Sequence, residues 1–260
     1  MSAASPTIAE LRAATQPASI FARNSGEHWA GKLYMRGASP YLTRALIRTP
    51  LSPNAVTGLM TAVGLLAAGL LTLPGLAAAI GVVLLIQLQL LLDCSDGELA
   101  RWRGTGSPVG IYLDRIAHNV TEAALPVALA IRADGGWGSL GGWTTLGLLI
   151  AVLVLMVRVE SALVYVARAE AGLAVVEDTA AVAAPRARGL ARLRRGLRFA
   201  PFFRAFVAIE FSFLALAAAI ADAIAGELDG TRALVAALVP VAALIAVGRL
   251  AAILASQRLR

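Results

Sequence analysis

The sequence predicts an all-α polytopic membrane protein, six transmembrane helices preceded by an interfacial amphipathic helix. Three observations carry this fold class. Of 260 residues 58% are hydrophobic and 15% charged, with a mean hydropathy of +0.75, whereas soluble domains carry about 25% charged and 45–50% apolar residues. The apolar residues fall in runs of roughly 17–25, the length that crosses a hydrocarbon core of about 30 Å. The arginines collect in the stretches between those runs.

Residues 1–28 are polar and alanine-rich without periodicity and read as a mobile cytoplasmic tail. They lack a basic start followed by an apolar core, so no cleaved leader is expected. Over residues 29–50, Trp29, Leu33, Tyr34, Leu42, Leu46 and Ile47 interleave with Lys32, Arg36, Arg44 and Arg48, as in a helix lying in the interface. Gly37 and Pro40 are expected to interrupt it. Residues 51–260 then form the six-helix domain, with spans at 55–73, 76–96, 108–131, 139–164, 204–225 and 232–255. The Leu73-Pro74-Gly75 turn and the glycine-rich stretch from Asp134 to Gly142 serve as connectors.

An even number of spans puts both termini on one side. Lys32, the five arginines upstream of the first span, Arg101, Arg103, the seven arginines from Arg168 to Arg198, Arg258 and Arg260 then share one face, against Arg132 and Arg232 opposite. The positive-inside rule makes the arginine-rich face cytoplasmic, in a multi-pass protein of the cell membrane. The connection over 166–203 reads as a basic helix resting on anionic lipid heads, or as a rim that collects an anionic substrate. The net charge of +7 is explained by this topology, since aromatic residues make up 6% and the cations flank apolar runs. No nucleic-acid partner is expected. A single cysteine, Cys94, excludes an intrachain disulfide, and two histidines, His28 and His118, exclude a histidine-rich metal site.

Any metal therefore rests mainly on carboxylates. The second span ends in Asp93-Cys94-Ser95-Asp96-Gly97-Glu98-Leu99-Ala100-Arg101, acids at the hydrocarbon edge where they are costly and usually functional. Asp93, Asp96 or Gly97, and Ala100 or Arg101 share one helical stripe. Beyond Pro108, suited to a helix start, Gly110, Asp114, His118 and Glu122 recur every fourth residue and form a second stripe. Packed as antiparallel neighbours, the two helices bring Asp93 and Asp96 to face Asp114 and His118, oxygen-rich ligation suited to Mg²⁺ or Mn²⁺. Gly97, Ala100 and Gly110 leave room between the ligands, which fits a nucleotide diphosphate bound through its metal.

These residues resemble the CDP-alcohol phosphotransferase family, also called CDP-alcohol phosphatidyltransferases, whose signature reads DxxDGxxAR, eight residues, then GxxxDxxxD. Asp93, Asp96, Gly97, Ala100, Arg101, Gly110 and Asp114 match in identity and spacing, and Pro53-Asn54-Ala55-Val56-Thr57 is similar to the family's PNxxT element. The departure is His118, which stands where the family has its fourth aspartate. The resemblance implies transfer of a phospho-alcohol group from a CDP-alcohol donor to a hydroxyl acceptor with release of CMP, one partner being lipidic, one or two divalent ions, and a homodimer.

Under that resemblance Asp93, Asp96, Asp114 and His118 hold metal, and His118 and Asp114 are catalytic. Imidazole can ligate a divalent ion and, with an unperturbed pKa near 6.5 against about 3.9 for aspartate, can serve as the base. Arg101 sets a positive charge by the phosphates or caps its helix. Asn54 and Thr57 contact the nucleotide or simply start the first span. Glu122 orients His118 or pairs with an arginine such as Arg158. Glu98 contacts solvent, Arg101 or the surroundings of the metal site, the last being the favoured reading, and Cys94 is read as packing. Arg158, Glu160 and Glu210 line the acceptor entrance or form ion pairs. Two other classes stand beside the transferase. A catalytically silent binding scaffold rests on His118, and a transporter would use the acids as ion sites but would not cluster them at one edge.

Overall fold

The computed structural model describes residues 6–17, 29–174, 202–256 and 258–259. His28 and residues 175–201 of the arginine-rich connection lie outside the described residues. Among the described residues every regular element is helical: α1 Ile8–Thr15, a π-type turn Gly31–Met35 leading into α2 Arg36–Ile47, α3 Pro53–Leu71, α4 Leu76–Arg103, α5 Pro108–Ala133, α6 Gly142–Glu170, α7 Ala208–Ala225 and α8 Asp229–Ala255. The chain divides into two compact units, Met1–Ala67 with Gly81–Thr121, and Ala68–Ile80 with Glu122–Arg260.

Among the described residues five helices, α3, α4, α6, α7 and α8, are long and apolar enough to cross a membrane, against the six spans expected. The sixth candidate, α5, has 26 residues and reaches about 39 Å. It is diluted by Asp114, Arg115, His118, Asn119, Glu122 and Arg132. The residues that make α5 interesting are the ones that lower its apolarity. Helix α4 runs to Arg103, past the expected end at residue 96, so the whole acidic motif is helical.

Two expectations for the N-terminal region give way in the first unit. Within the expected mobile tail, residues 8–15 form α1. Thr7 and Glu10 close a reciprocal capping box, which satisfies donors at the helix start, and Leu11 is fully buried. The expected break at Gly37 and Pro40 is absent, because α2 continues through both. A helical proline leaves the carbonyl four residues earlier without its donor. That carbonyl, on Arg36, accepts from Gln16 Nε2 at 2.9 Å, and the next, on Gly37, accepts from Arg12 Nη2 at 3.0 Å. Docking of α1 thus repairs the defect that Pro40 makes.

The remaining helices of this unit start on ordinary signals. Ser52 caps α3 through the Ala55 N–H at 3.1 Å, and Ser107 caps α5 through the Gly110 N–H at 3.1 Å. A proline follows each cap, where its missing donor costs nothing. Leu46, Val56, Met60, Leu92, Leu99 and Ala117 form the buried core between α2, α3, α4 and α5. Deeper in that packing, Gln89 Nε2 donates to Thr121 Oγ1 at 2.8 Å. This joins α4 to α5 one turn below the acidic motif, as polar groups do inside apolar bundles. Gly64 of α3 lies against the pair, and a Cβ there would be 2.5 Å from Gln89 Nε2.

In the second unit, α8 packs on α6 and α7. Arg132, 1% exposed, donates through Nη1 to the carbonyls of Leu73 at 3.1 Å and Gly75 at 3.2 Å. Its Nη2 lies 3.7 Å from Asp222 Oδ2. Asp222 also accepts from the Thr231 N–H at 3.0 Å and hydroxyl at 2.5 Å, across a turn in which Gly226 takes φ +79°. Arg232 Nε donates to Ala133 O at 3.2 Å. The two cations expected on the arginine-poor side are therefore committed to carbonyls, the buried Asp222 and the exposed Asp229.

Two stability outcomes follow from these contacts. Asp222→Ala strands the Arg132 guanidinium and should cost about 3–5 kcal/mol, whereas Asp222→Asn retains an acceptor for Thr231 and should cost less; unfolding midpoints of the purified variants measure this. Gly64→Val forces Gln89 and Thr121 apart and should cost about 1–3 kcal/mol. Gly64→Val combined with Gln89→Leu should cost less than the sum of the single changes, because the displaced hydrogen bond is already gone.

Candidate metal and nucleotide site

The site is built from the last turns of α4 and the first turns of α5, both within the first unit. Asp114 and His118, one helical turn apart, share the face of α5 that meets Asp93 of α4. His118 Nε2 lies 3.1 Å from Asp93 Oδ1 and 3.5 Å from Asp114 Oδ1. One ligand atom from each of these side chains falls within 4.8 Å of the other two. The side chains are 23% exposed for Asp93, 29% for His118 and 42% for Asp114. The cluster is thus sheltered on the α4 side and open on the Asp114 side.

Two carboxylates held this closely repel unless a positive charge lies between them. An imidazole nitrogen aimed at both can carry a proton there or coordinate a cation, not both at once. Two carboxylate oxygens with one imidazole nitrogen form a donor set that fits a small divalent ion.

Asp96 stands outside the close group. It is buried, and Thr57 Oγ1 of α3 donates to its Oδ2 at 2.5 Å. The Thr57 hydroxyl, assigned from the sequence to the nucleotide or to a span start, is thus bonded to a motif carboxylate. Asn54 lies near the start of α5, and its Oδ1 would be 3.2 Å from a Cβ on Gly110. Gly97 stands in the same relation to Arg101, whose Nη1 would be 3.1 Å from a Cβ there. The motif glycines therefore admit neighbouring side chains, in addition to any room they leave for a ligand. Arg101 is exposed, and its Nε donates to the Thr15 carbonyl at the end of α1 at 2.5 Å. Ala100 is half-buried, one turn beyond Asp96.

Glu98 corrects its expected place. It is fully buried, away from solvent, and its carboxylate accepts from Ser39 Oγ at 2.5 Å, Thr43 Oγ1 at 2.7 Å and Gln16 Nε2 at 2.8 Å. Glu122 is bonded by Arg158, the structural alternative weighed for it, and Arg204 Nε donates to Glu210 at 2.7 Å. Cys94 is buried, as a packing residue would be. Sequence reasoning missed Gln89 and Thr121, although a glutamine between Leu88 and Leu90 marks a polar contact inside an apolar span. It also missed Gln16, Ser39 and Thr43, which no local pattern links to Glu98.

Comparison with known proteins bears on the family of the chain. The sequence model of the CDP-alcohol phosphatidyltransferase family matches residues 50–187, just over half of the chain and the whole of the motif. A bifunctional IPC transferase and DIPP synthase of Rubrobacter xylanophilus is 34% identical over 138 residues, 51% of this chain and 30% of that protein. A phosphatidylinositol phosphate synthase of Mycobacteroides abscessus is 33% identical over 130 residues, 50% of this chain and 56% of that protein. The matched region thus spans about a third of the first relative and just over half of the second. With the motif, its helical framework and the family match in agreement, the chain belongs to the CDP-alcohol phosphatidyltransferase family.

Proposed function

We propose that the chain is an integral membrane transferase that moves the phospho-alcohol group of a CDP-alcohol donor to a hydroxyl acceptor and releases CMP, in phospholipid or related phosphodiester synthesis. The observation that carries this reading is the convergence of Asp93, Asp114 and His118 within 4.8 Å on the two motif helices. Asp93, Asp114 and His118 would hold a divalent ion, Mg²⁺ or Mn²⁺, with Asp96 as a further carboxylate. Such an ion, when bound, neutralises the diphosphate and acts as a Lewis acid toward it.

The chain's own groups supply the rest. Thr57 fixes the rotamer of Asp96, and Arg101 sets a guanidinium beside Gly97, where a diphosphate can approach. In the transfer, the acceptor oxygen bonds to phosphorus and the bond from phosphorus to the CMP oxygen breaks, CMP keeping the electron pair. The acceptor's proton goes to a carboxylate oxygen of Asp114, the most exposed of the three donors. His118 Nε2 faces the carboxylates, so we assign that nitrogen to the cation and the base role to Asp114. A positioned base contributes about 10²–10⁴-fold.

We also propose that α5 is the sixth span, its polar face turned to the site, and that the arginine-rich end, both termini and the site face the cytoplasm from the cell membrane. A homodimer is the assembly that the family resemblance implies. The name of the M. abscessus relative makes inositol and inositol phosphate the first acceptors to try, with CDP-diacylglycerol as donor.

The test offers purified protein a panel of CDP-linked donors and alcohols with Mg²⁺ or Mn²⁺ and measures CMP. Asp93→Asn and Asp114→Asn should each lower turnover by at least about 10²-fold. His118→Ala should lose at least about tenfold, within the range seen when support for a metal site is removed, and His118→Asp should retain activity because a carboxylate replaces one ligand with another. Full activity in His118→Ala would remove His118 from the site. Donor binding without turnover across all acceptors and both metals would favour the silent-scaffold reading.

A further inference from the structure

Helix α1 lies outside the region that matches the family, yet it reaches the motif helix at two points. At one, Arg101 Nε donates to the Thr15 carbonyl at 2.5 Å. A cation is favoured at a helix C-terminus, where the last carbonyls lack intrahelical donors. At the other, Gln16, which ends α1, divides its amide between two partners. One is Glu98 Oε1 of α4 at 2.8 Å, and the other is the Arg36 carbonyl of α2, left open by Pro40, at 2.9 Å.

Glu98 is 0% exposed, and its remaining acceptor capacity is taken by Ser39 and Thr43 of α2, with Arg36 Nη1 at 3.7 Å. A buried acid of this kind is a poor source of stability, because an apolar replacement is often as stable, but it fixes which groups face one another. Both contacts leave the same short stretch of α4, since Glu98 and Arg101 are three residues apart and adjacent on its surface. In this docking of α1, Gln16 satisfies Glu98 and Arg36 together and the Thr15 carbonyl is set against Arg101.

We propose that Gln16 and Glu98 are positioning residues for Arg101, making α1 part of the donor site. They hold the end of α1 so that the Arg101 guanidinium lies beside Gly97, ready for the donor's diphosphate. The inference rests on the transferase reading, in which Arg101 meets that diphosphate. It adds that the segment before the matched region governs nucleotide affinity through one guanidinium.

The test measures CDP binding with Mg²⁺ by calorimetry on the full chain in detergent, with the unfolding midpoint of each variant. Gln16→Glu sets two carboxylates together and should weaken CDP about tenfold, within the coupling range of contacting residues. The exchanged pair Gln16→Glu with Glu98→Gln restores an amide–carboxylate contact but not the donor to the Arg36 carbonyl, so it should recover part, though not all, of the lost CDP affinity. In an Arg101→Ala background, Gln16→Glu should change CDP affinity by less than about twofold, because the group it acts through is gone. Mn²⁺ binding without nucleotide should be the same in all of these. Gln16→Ala gives a milder version of the same pattern should Gln16→Glu fail to fold.

Equal losses with and without Arg101, or no loss in either glutamine variant, would overturn the inference. Failure of the native protein itself to bind CDP would instead count against the transferase reading.

Discussion

Two carboxylates and an imidazole nitrogen gathered within 4.8 Å cannot rest there without positive charge, and much of the first unit is arranged around that requirement. Asp93 comes from one helix, Asp114 and His118 from the next, so the cluster exists only while α4 and α5 keep their register. The Gln89–Thr121 hydrogen bond sets that register one turn below, and Gly64 lets α3 close over it. Thr57 then orients Asp96 from α3. An apolar chain that could slide in lipid is pinned by polar contacts at the level where the chemistry is proposed.

The same logic organises the second unit at its own scale. Arg132, Asp222 and Thr231 make a buried polar knot that joins the connections after α3 and between α7 and α8. Buried ion pairs of this type are costly to create and costlier to break. Their effect is to fix which helix ends meet. Arg132, which looks like an exception to the charge rule in the sequence, is a member of such a pair, and Arg232 is held by the Ala133 carbonyl and the exposed Asp229.

Much of this was legible in the sequence, for reasons that differ by residue. Asp114 and His118 could be read because helical spacing decides which side chains share a face, and Asp93 because a short turn makes α4 and α5 antiparallel neighbours. Gly97 beneath Arg101 follows from the same four-residue spacing, yet its structural reason, room for that guanidinium, was passed over for a ligand. Gly110 beside Asn54 could not be read, since it needs a contact between helices separated by one whole span. The Thr7…Glu10 capping box ahead of Leu11 was a readable signal for α1. Pro40 misled, because a proline's effect depends on whether a donor from elsewhere reaches the carbonyl it leaves open, and Gln16 does. Glu98 misled for the same reason: its partners lie more than fifty residues away in the chain.

Asp93, Asp114 and His118 are proposed to form one cation site, with the imidazole in the position of the family's fourth aspartate. Pulsed electron paramagnetic resonance of the native protein loaded with Mn²⁺ tests it most directly, by detecting nitrogen coupled to the metal. One histidine nitrogen should couple to Mn²⁺ in the native protein, and that coupling should vanish in His118→Asp while Mn²⁺ remains bound. Mn²⁺ bound through Asp93 and Asp114 with no nitrogen coupling in the native protein would contradict it.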